Sequence, residues 1–181
     1  MNGLLAFSRG VDWVTDKIGK GMYWMVLLAV LISSGNAVVR YGLNKSSNSW
    51  LEMQWYLFSA VFLICSAYTL LNNQHIRIDI VSSRMTQTSR NWIDIIGHLF
   101  FLIPLCVLML YEGWPYFLDT WYSGEVSTNA GGLIRWPARL LIVLGFGLLL
   151  IQALSELIKR VAVMLGRIPD PHRPTSSHGE I

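Results

Sequence analysis

A few side chains in this sequence have the types and spacing for ion or proton chemistry, and each sits in or beside a long apolar run. Glu52 is the only formal charge between Leu51 and Leu71. Asp94 and His98 stand four apart, as do Gln152 and Glu156 and, earlier, Asn36 and Arg40. Residues four apart share a helix face, and ionisable groups at membrane depth are functional suspects by default. Asp94 with His98 would form part of a proton-responsive site, or the two would pair and anchor a helix contact. Gln152 with Glu156 would line an ion pathway, or Glu156 would close a local ion pair with Lys159 or Arg160. Asn36 beside Arg40 reads as an amide next to a snorkelling arginine. Glu52 has two readings. It completes an S-x-x-E capping box with Ser49 at a helix start, or it meets a partner at the outer face.

Enzyme chemistry finds no footing. The chain has no nucleophile elbow, no metal-spaced histidine cluster and no glycine-rich phosphate loop after a strand. Only His98 lies inside an apolar run, too few for facing haem ligands. The two cysteines, Cys65 and Cys106, lie mid-run with no C-x-x-C spacing and read as free buried thiols. No cofactor or metal is expected. The net charge of +3 is small and forms no basic stripe, so no nucleic-acid partner is expected.

The elements that must position these residues are membrane spans. Charged residues make up 14% of the chain against the roughly 25% usual in soluble domains. About 20 apolar residues at 1.5 Å each cross the ~30 Å hydrocarbon core, and four runs reach that length. They are 21–41, 50–71, 92–112 and 137–158, the third extending at least to Tyr111 with Pro104 inside it and the fourth opening on Pro137. The expected fold is therefore an all-α integral membrane protein of four transmembrane helices over residues 21–165. Residues 1–20 are expected either as an amphipathic interfacial helix, from Val11, Val14 and Ile18, or as a soluble lead-in. Residues 166–181, with Pro169, Pro171 and Pro174, are expected to be disordered.

Lys and Arg set the orientation. Arg9, Lys17, Lys20, Arg77, Arg84, Arg90, Lys159, Arg160, Arg167 and Arg173 fall on one side, against Arg40, Lys45, Arg135 and Arg139 on the other. The positive-inside tendency puts both termini in the cytoplasm. Tyr41, Trp50, Trp55, Tyr56, Tyr111, Trp114, Trp121 and Trp136 then form the outer aromatic belt. Ala29, Ser33 and Ala37 repeat every four residues, a small-residue stripe suited to close helix packing, and Gly145 and Gly147 suit the same use. Pro104 leaves the Phe100 carbonyl without its donor and predicts a bend. Between spans two and three, an extended segment would put His75, Arg77 and Asp79 on one face and Ile76, Ile78 and Ile80 on the other. An interfacial helix or turn is expected there, with Arg77 and Asp79 clasping the loop or meeting a partner.

Several blocks together resemble a known family. They are Ser49-Trp50-Leu51-Glu52 with Trp55-Tyr56-Leu57-Phe58, and His75-Ile76-Arg77-Ile78-Asp79. Next come Gly124-Glu125-Val126-Ser127 and Gly131-Gly132-Leu133-Ile134-Arg135-Trp136-Pro137, then Gly145-Phe146 with Leu149, Gln152 and Ser155-Glu156-Leu157. In order, spacing and placement they resemble the small four-span permease subunit of the tripartite ATP-independent periplasmic (TRAP) transporters, the DctQ-like family. The resemblance implies a multi-pass protein of a bacterial inner membrane that belongs to a sodium-coupled symporter for organic anions, usually carboxylates. It implies two protein partners, a large permease subunit and a periplasmic substrate-binding protein, besides membrane lipid. Glu52, Trp55, His75, Arg77, Asp79, Glu125, Gln152 and Glu156 are then candidates for structural or partner contacts. The absence of an internal repeat suits a scaffold. The competing expectation is a self-sufficient small transporter or channel, acting as a homo-oligomer through Glu156, Gln152, Asp94 or His98.

Overall fold

A computed structural model describes residues 2–44, 47–72 and 86–169. The candidate contacts His75, Arg77 and Asp79, and the tail from residue 170, lie outside the described residues. The described chain is helical: α1 (Asn2–Leu43), α2 (Asn48–Leu71), α3 (Gln87–Gly97), a π-helical turn (His98–Leu102), α4 (Ile103–Ser123) and α5 (Trp136–Met164). Four rods are long and apolar enough to cross a membrane, because α3, the π turn and α4 run on as one helix of 36 residues.

The N-terminal segment departs from expectation. Residues 1–20 do not form a separate interfacial element or lead-in; from Asn2 on they are the first half of a single helix of 42 residues, about 63 Å long at 1.5 Å per residue. Nothing in the sequence stops it. There is no proline, and Asp16 and Lys20, one turn apart and joined at 2.7 Å, bridge the anticipated boundary. One seam runs its whole length: Ser8, Thr15, Met22, Ala29 and Asn36 recur every seven residues and face inward. Gly19 lies beside this seam because a Cβ there would collide with the ring of Tyr68. The small-residue stripe therefore splits: Ala29 packs inside, while Ser33 and Ala37 are exposed. A four-residue repeat drifts around the helix, whereas a seven-residue repeat holds its face.

The third rod begins at Thr86, whose hydroxyl accepts the Ser89 N–H at 3.3 Å. The anticipated bend at Pro104 takes the form of the π turn just before it. Pro104 has no N–H for the Phe100 carbonyl, and the N–H of Ile103 reaches back five residues to His98. The helix passes the expected limit at residue 112, because the sequence offers no stop before Gly124. There a left-handed glycine (φ 63°) sends its N–H to the Thr120 carbonyl at 3.1 Å.

α5 touches every other element. Gly145 lets α2 approach closely; a Cβ there would lie 2.6 Å from Leu63 Cβ and 3.0 Å from its carbonyl oxygen. Gly147, by contrast, meets only Leu110, at 3.9 Å. Leu70, Cys106, Leu149 and Ala153 form the core, with Phe146 and Leu150 packed on it, and both cysteines are free thiols. In the most apolar window of α1 and of the third rod only 6% of residues are buried, against 33% in α5. Their outward faces therefore belong to lipid or to another protein.

Candidate functional site

Two polar clusters lie at opposite ends of the spans. The first is built around the loop 124–135 that joins α4 to α5. Val126 and Ile134 form an antiparallel bridge, with Ser127 N–H donating to Leu133 O at 2.9 Å and Arg135 N–H to Glu125 O at 3.0 Å. Gly131 turns the chain with φ 69°, and a Cβ at Gly132 would strike the Ser127 side chain. This small hairpin sits on the first two turns of α2. The buried Glu52 carboxylate accepts from the Ser127 hydroxyl, from Asn129 Nδ2 at 2.8 Å and from the Leu133 N–H at 2.6 Å. The Ser49 hydroxyl donates to the Gly131 carbonyl, Asn48 Nδ2 to Ala130 O at 3.2 Å, and the Tyr56 hydroxyl to Ile134 O at 3.1 Å.

The expected capping box is therefore not formed. The helix starts at Asn48 after Ser47, which makes no side-chain cap, and both Ser49 and Glu52 spend their polar atoms on the loop. The loop offers backbone donors and acceptors that a solvent-exposed first turn would not meet. Glu125 holds the loop from the other side, pairing with Arg135 at 2.6 Å and with Arg139 at 2.7 Å. Arg139 also donates to the Thr120 hydroxyl, and its guanidinium lies 3.8 Å above the Tyr116 ring. A cleft of about 430 Å³ opens beside this cluster, between Trp55, Tyr56 and Ser59 of α2 and Tyr116, Arg135 and Arg139. Trp55 stands at its mouth, 65% exposed. Because Glu125 meets both arginines and Glu52 is saturated with donors, this arrangement fixes a loop rather than presenting a reactive group.

The second cluster joins α1 to α5. Ser8 and Ser155 hydroxyls meet at 2.6 Å, and Thr15 donates to Gln152 Oε1 at 2.8 Å. Gln152 Nε2 donates to Asp12 at 2.9 Å and to Glu156 at 3.2 Å. Lys159 closes the group between two carboxylates, 2.8 Å from Asp12 and 2.6 Å from Glu156. Ser8, Thr15, Gln152, Ser155 and Glu156 are all buried. Arg160 extends the cluster to α3, reaching Asn91 at 3.2 Å and Asp94 at 3.1 Å.

Gln152 and Glu156 are thus brought together, and Glu156 takes Lys159 as expected, while Arg160 is drawn to the third rod. The expected Asp94–His98 side-chain pairing gives way to a pairing across helices. The Asp94 carboxylate meets Arg160, and among the described residues His98 Nδ1 meets the Asp94 backbone oxygen. An interhelical guanidinium supplies a permanent charge and several donors to the carboxylate. Sequence reasoning missed Ser8, Asp12 and Thr15, although their i, i+4, i+7 spacing continues the α1 seam. It also missed Asn129 and Arg139, whose roles depend on how the loop folds back. Among the described residues, no group of His, Cys, Asp or Glu is placed to hold a metal ion.

The family model for the DctQ component of the tripartite ATP-independent periplasmic transporters matches residues 29–163. That span takes in the Glu52 clasp and the α5 half of the second cluster, and leaves Ser8, Asp12 and Thr15 outside it. No curated protein and no solved structure matched the chain. Four membrane-length helices and a match over most of the chain agree, and the protein belongs to the DctQ components of the TRAP transporters, as a small membrane subunit.

Proposed function

We propose that this chain is a fixed, non-catalytic scaffold beside a large permease subunit, in a bacterial inner membrane with both termini in the cytoplasm. The assembled transporter imports an organic anion, a carboxylate by class, coupled to sodium, and a periplasmic binding protein delivers the substrate. One observation carries the scaffold reading. The polar side chains at both ends of the spans are already joined across helices, and between them α5 offers only apolar residues and glycine from Leu140 to Ile151. A moving ion needs coordinating groups along its path, whereas a scaffold needs its ends tied.

The test is reconstitution. Proteoliposomes containing the large subunit together with this chain should take up substrate when binding protein and a sodium gradient are supplied. Full uptake by the large subunit alone would overturn the proposal.

A further inference from the structure

Two exposed cations on the first half of α1 have no part in either cluster. Arg9 and Lys17 stand four residues to either side of Trp13, and all three side chains are exposed on one stripe. Neither cation makes a hydrogen bond or ion pair among the described residues, whereas nearby Lys20 is held by Asp16 at 2.7 Å.

Their depth follows from the antiparallel pairing of α1 with α5. Ser8 meets Ser155 and Thr15 meets Gln152. Arg9 therefore lies beyond Gln152, toward the polar end of α5. Lys17 lies just inside it, level with the last residues of the apolar run Leu140–Ile151. The pair straddles the place where α5 turns from apolar to polar, with the Trp13 indole between them. Helical side chains lean toward the helix N-terminus, which carries the Lys17 ammonium back toward Trp13 and that boundary. Lipid headgroups begin where the apolar core ends.

Beside Trp13 an apolar groove of about 480 Å³ lies between the two helices. Phe7, Gly10, Trp13 and Val14 of α1 line it, with Leu148 and Ile151 of α5. A Cβ on Gly10 would meet no atom within 4 Å, so the missing side chain there keeps the groove open. An anion with an apolar tail answers every one of these features. The two cations suit its phosphate, the indole is at home at headgroup depth, and the groove suits a tail. A protein neighbour would have to bring its own carboxylates to this depth, while phosphates lie there all around the protein.

We infer that this face of α1 binds an anionic phospholipid, with Arg9 and Lys17 reaching its phosphate and one acyl chain lying in the groove over Gly10. Basic pockets between membrane helices take such headgroups by the same physics. The inference needs only that the chain spans a membrane, and it stands apart from the scaffold reading.

The test uses the full chain in detergent, with bound lipid counted by native mass spectrometry. The chain should hold one dioleoyl phosphatidylglycerol in preference to dioleoyl phosphatidylcholine. Arg9→Gln and Lys17→Gln should each weaken that binding about fivefold, and together about thirty-fold. Arg40→Gln removes an equally exposed cation from the far end of α1 and should leave binding unchanged. Gly10→Leu keeps both charges but fills the groove, and should weaken binding at least about tenfold. If a variant loses the wild-type thermal transition, competition on the wild-type chain decides instead. Dioctanoyl phosphatidylglycerol should displace the bound lipid, and inorganic phosphate should not. Equal binding of the two dioleoyl lipids, full binding by Gly10→Leu, an equal loss from Arg40→Gln, or displacement by inorganic phosphate overturns the inference and leaves this face to a protein neighbour.

Discussion

At the Glu52 end, one carboxylate gathers donors from a loop, and two of its three partners lie within the short span Ser127–Asn129. At the Gln152 end, side chains from separate helices satisfy one another in both directions, with Lys159 between Asp12 and Glu156. The first is a clasp of many on one; the second is a mesh. A clasp on backbone groups admits no substitute, because the Leu133 N–H remains whatever residue replaces its acceptor. A mesh of side chains can be replaced as a set. Buried ion pairs are often matched by apolar residues of similar volume, whereas removing one member leaves a buried charge stranded.

The largest effect should therefore come from removing one member of the mesh. Lys159→Met leaves Asp12 and Glu156 facing each other and should destabilise the chain by about 3–5 kcal/mol, read as a lowered thermal midpoint in detergent. The triple change Asp12→Leu, Glu156→Leu and Lys159→Met should recover most of that loss. A triple variant as unstable as the single one would show that the mesh is no more replaceable than the clasp.

Next in size is Gly145→Leu, which drives a side chain into the Leu63 backbone. It should cost about 1–3 kcal/mol by overpacking, measured the same way, and it reaches both ends because α5 takes part in both clusters. Glu52→Ala should act locally. The Leu133 amide should exchange with solvent at least about tenfold faster, and protease should cut within 124–135, while the mesh stays intact; uniform loosening of the chain would contradict that separation. The smallest effect expected is from Thr15→Val, about 1 kcal/mol for one neutral hydrogen bond at a position of conserved volume.

Much of this architecture was legible in the residues, for a reason tied to the bilayer. A span must present about 20 apolar residues, so its existence is written locally, and Pro137 marks a real boundary, whereas the end of the third rod at Gly124 lies beyond the expected limit at 112. What was not legible depended on partners distant in sequence. Ser49 and Glu52 have the same local signature whether they cap their own helix or grip a loop, and only the fold of 124–135 decides between the two. Asp94 and His98 look paired because one-helix spacing cannot reveal Arg160. Residues 1–20 looked separable because Val11, Val14 and Ile18 among charged residues read as an amphipathic helix, yet the seven-residue seam from Ser8 to Asn36 continues through the supposed boundary.

The π turn at His98–Leu102 has a consequence for phase. Along an unbroken α-helix, Asp94 and Cys106 would point about 120° apart. A wide turn absorbs one extra residue and brings them to within about 20° of each other, so both face α5, Asp94 toward Arg160 and Cys106 into the core. The turn is thus an angular correction between two halves of one rod. Deleting one residue from 98–102 would leave a regular helix with Asp94 and Cys106 still about 20° apart, whereas regularising the turn with every residue kept would swing Asp94 by about 100° off its partner.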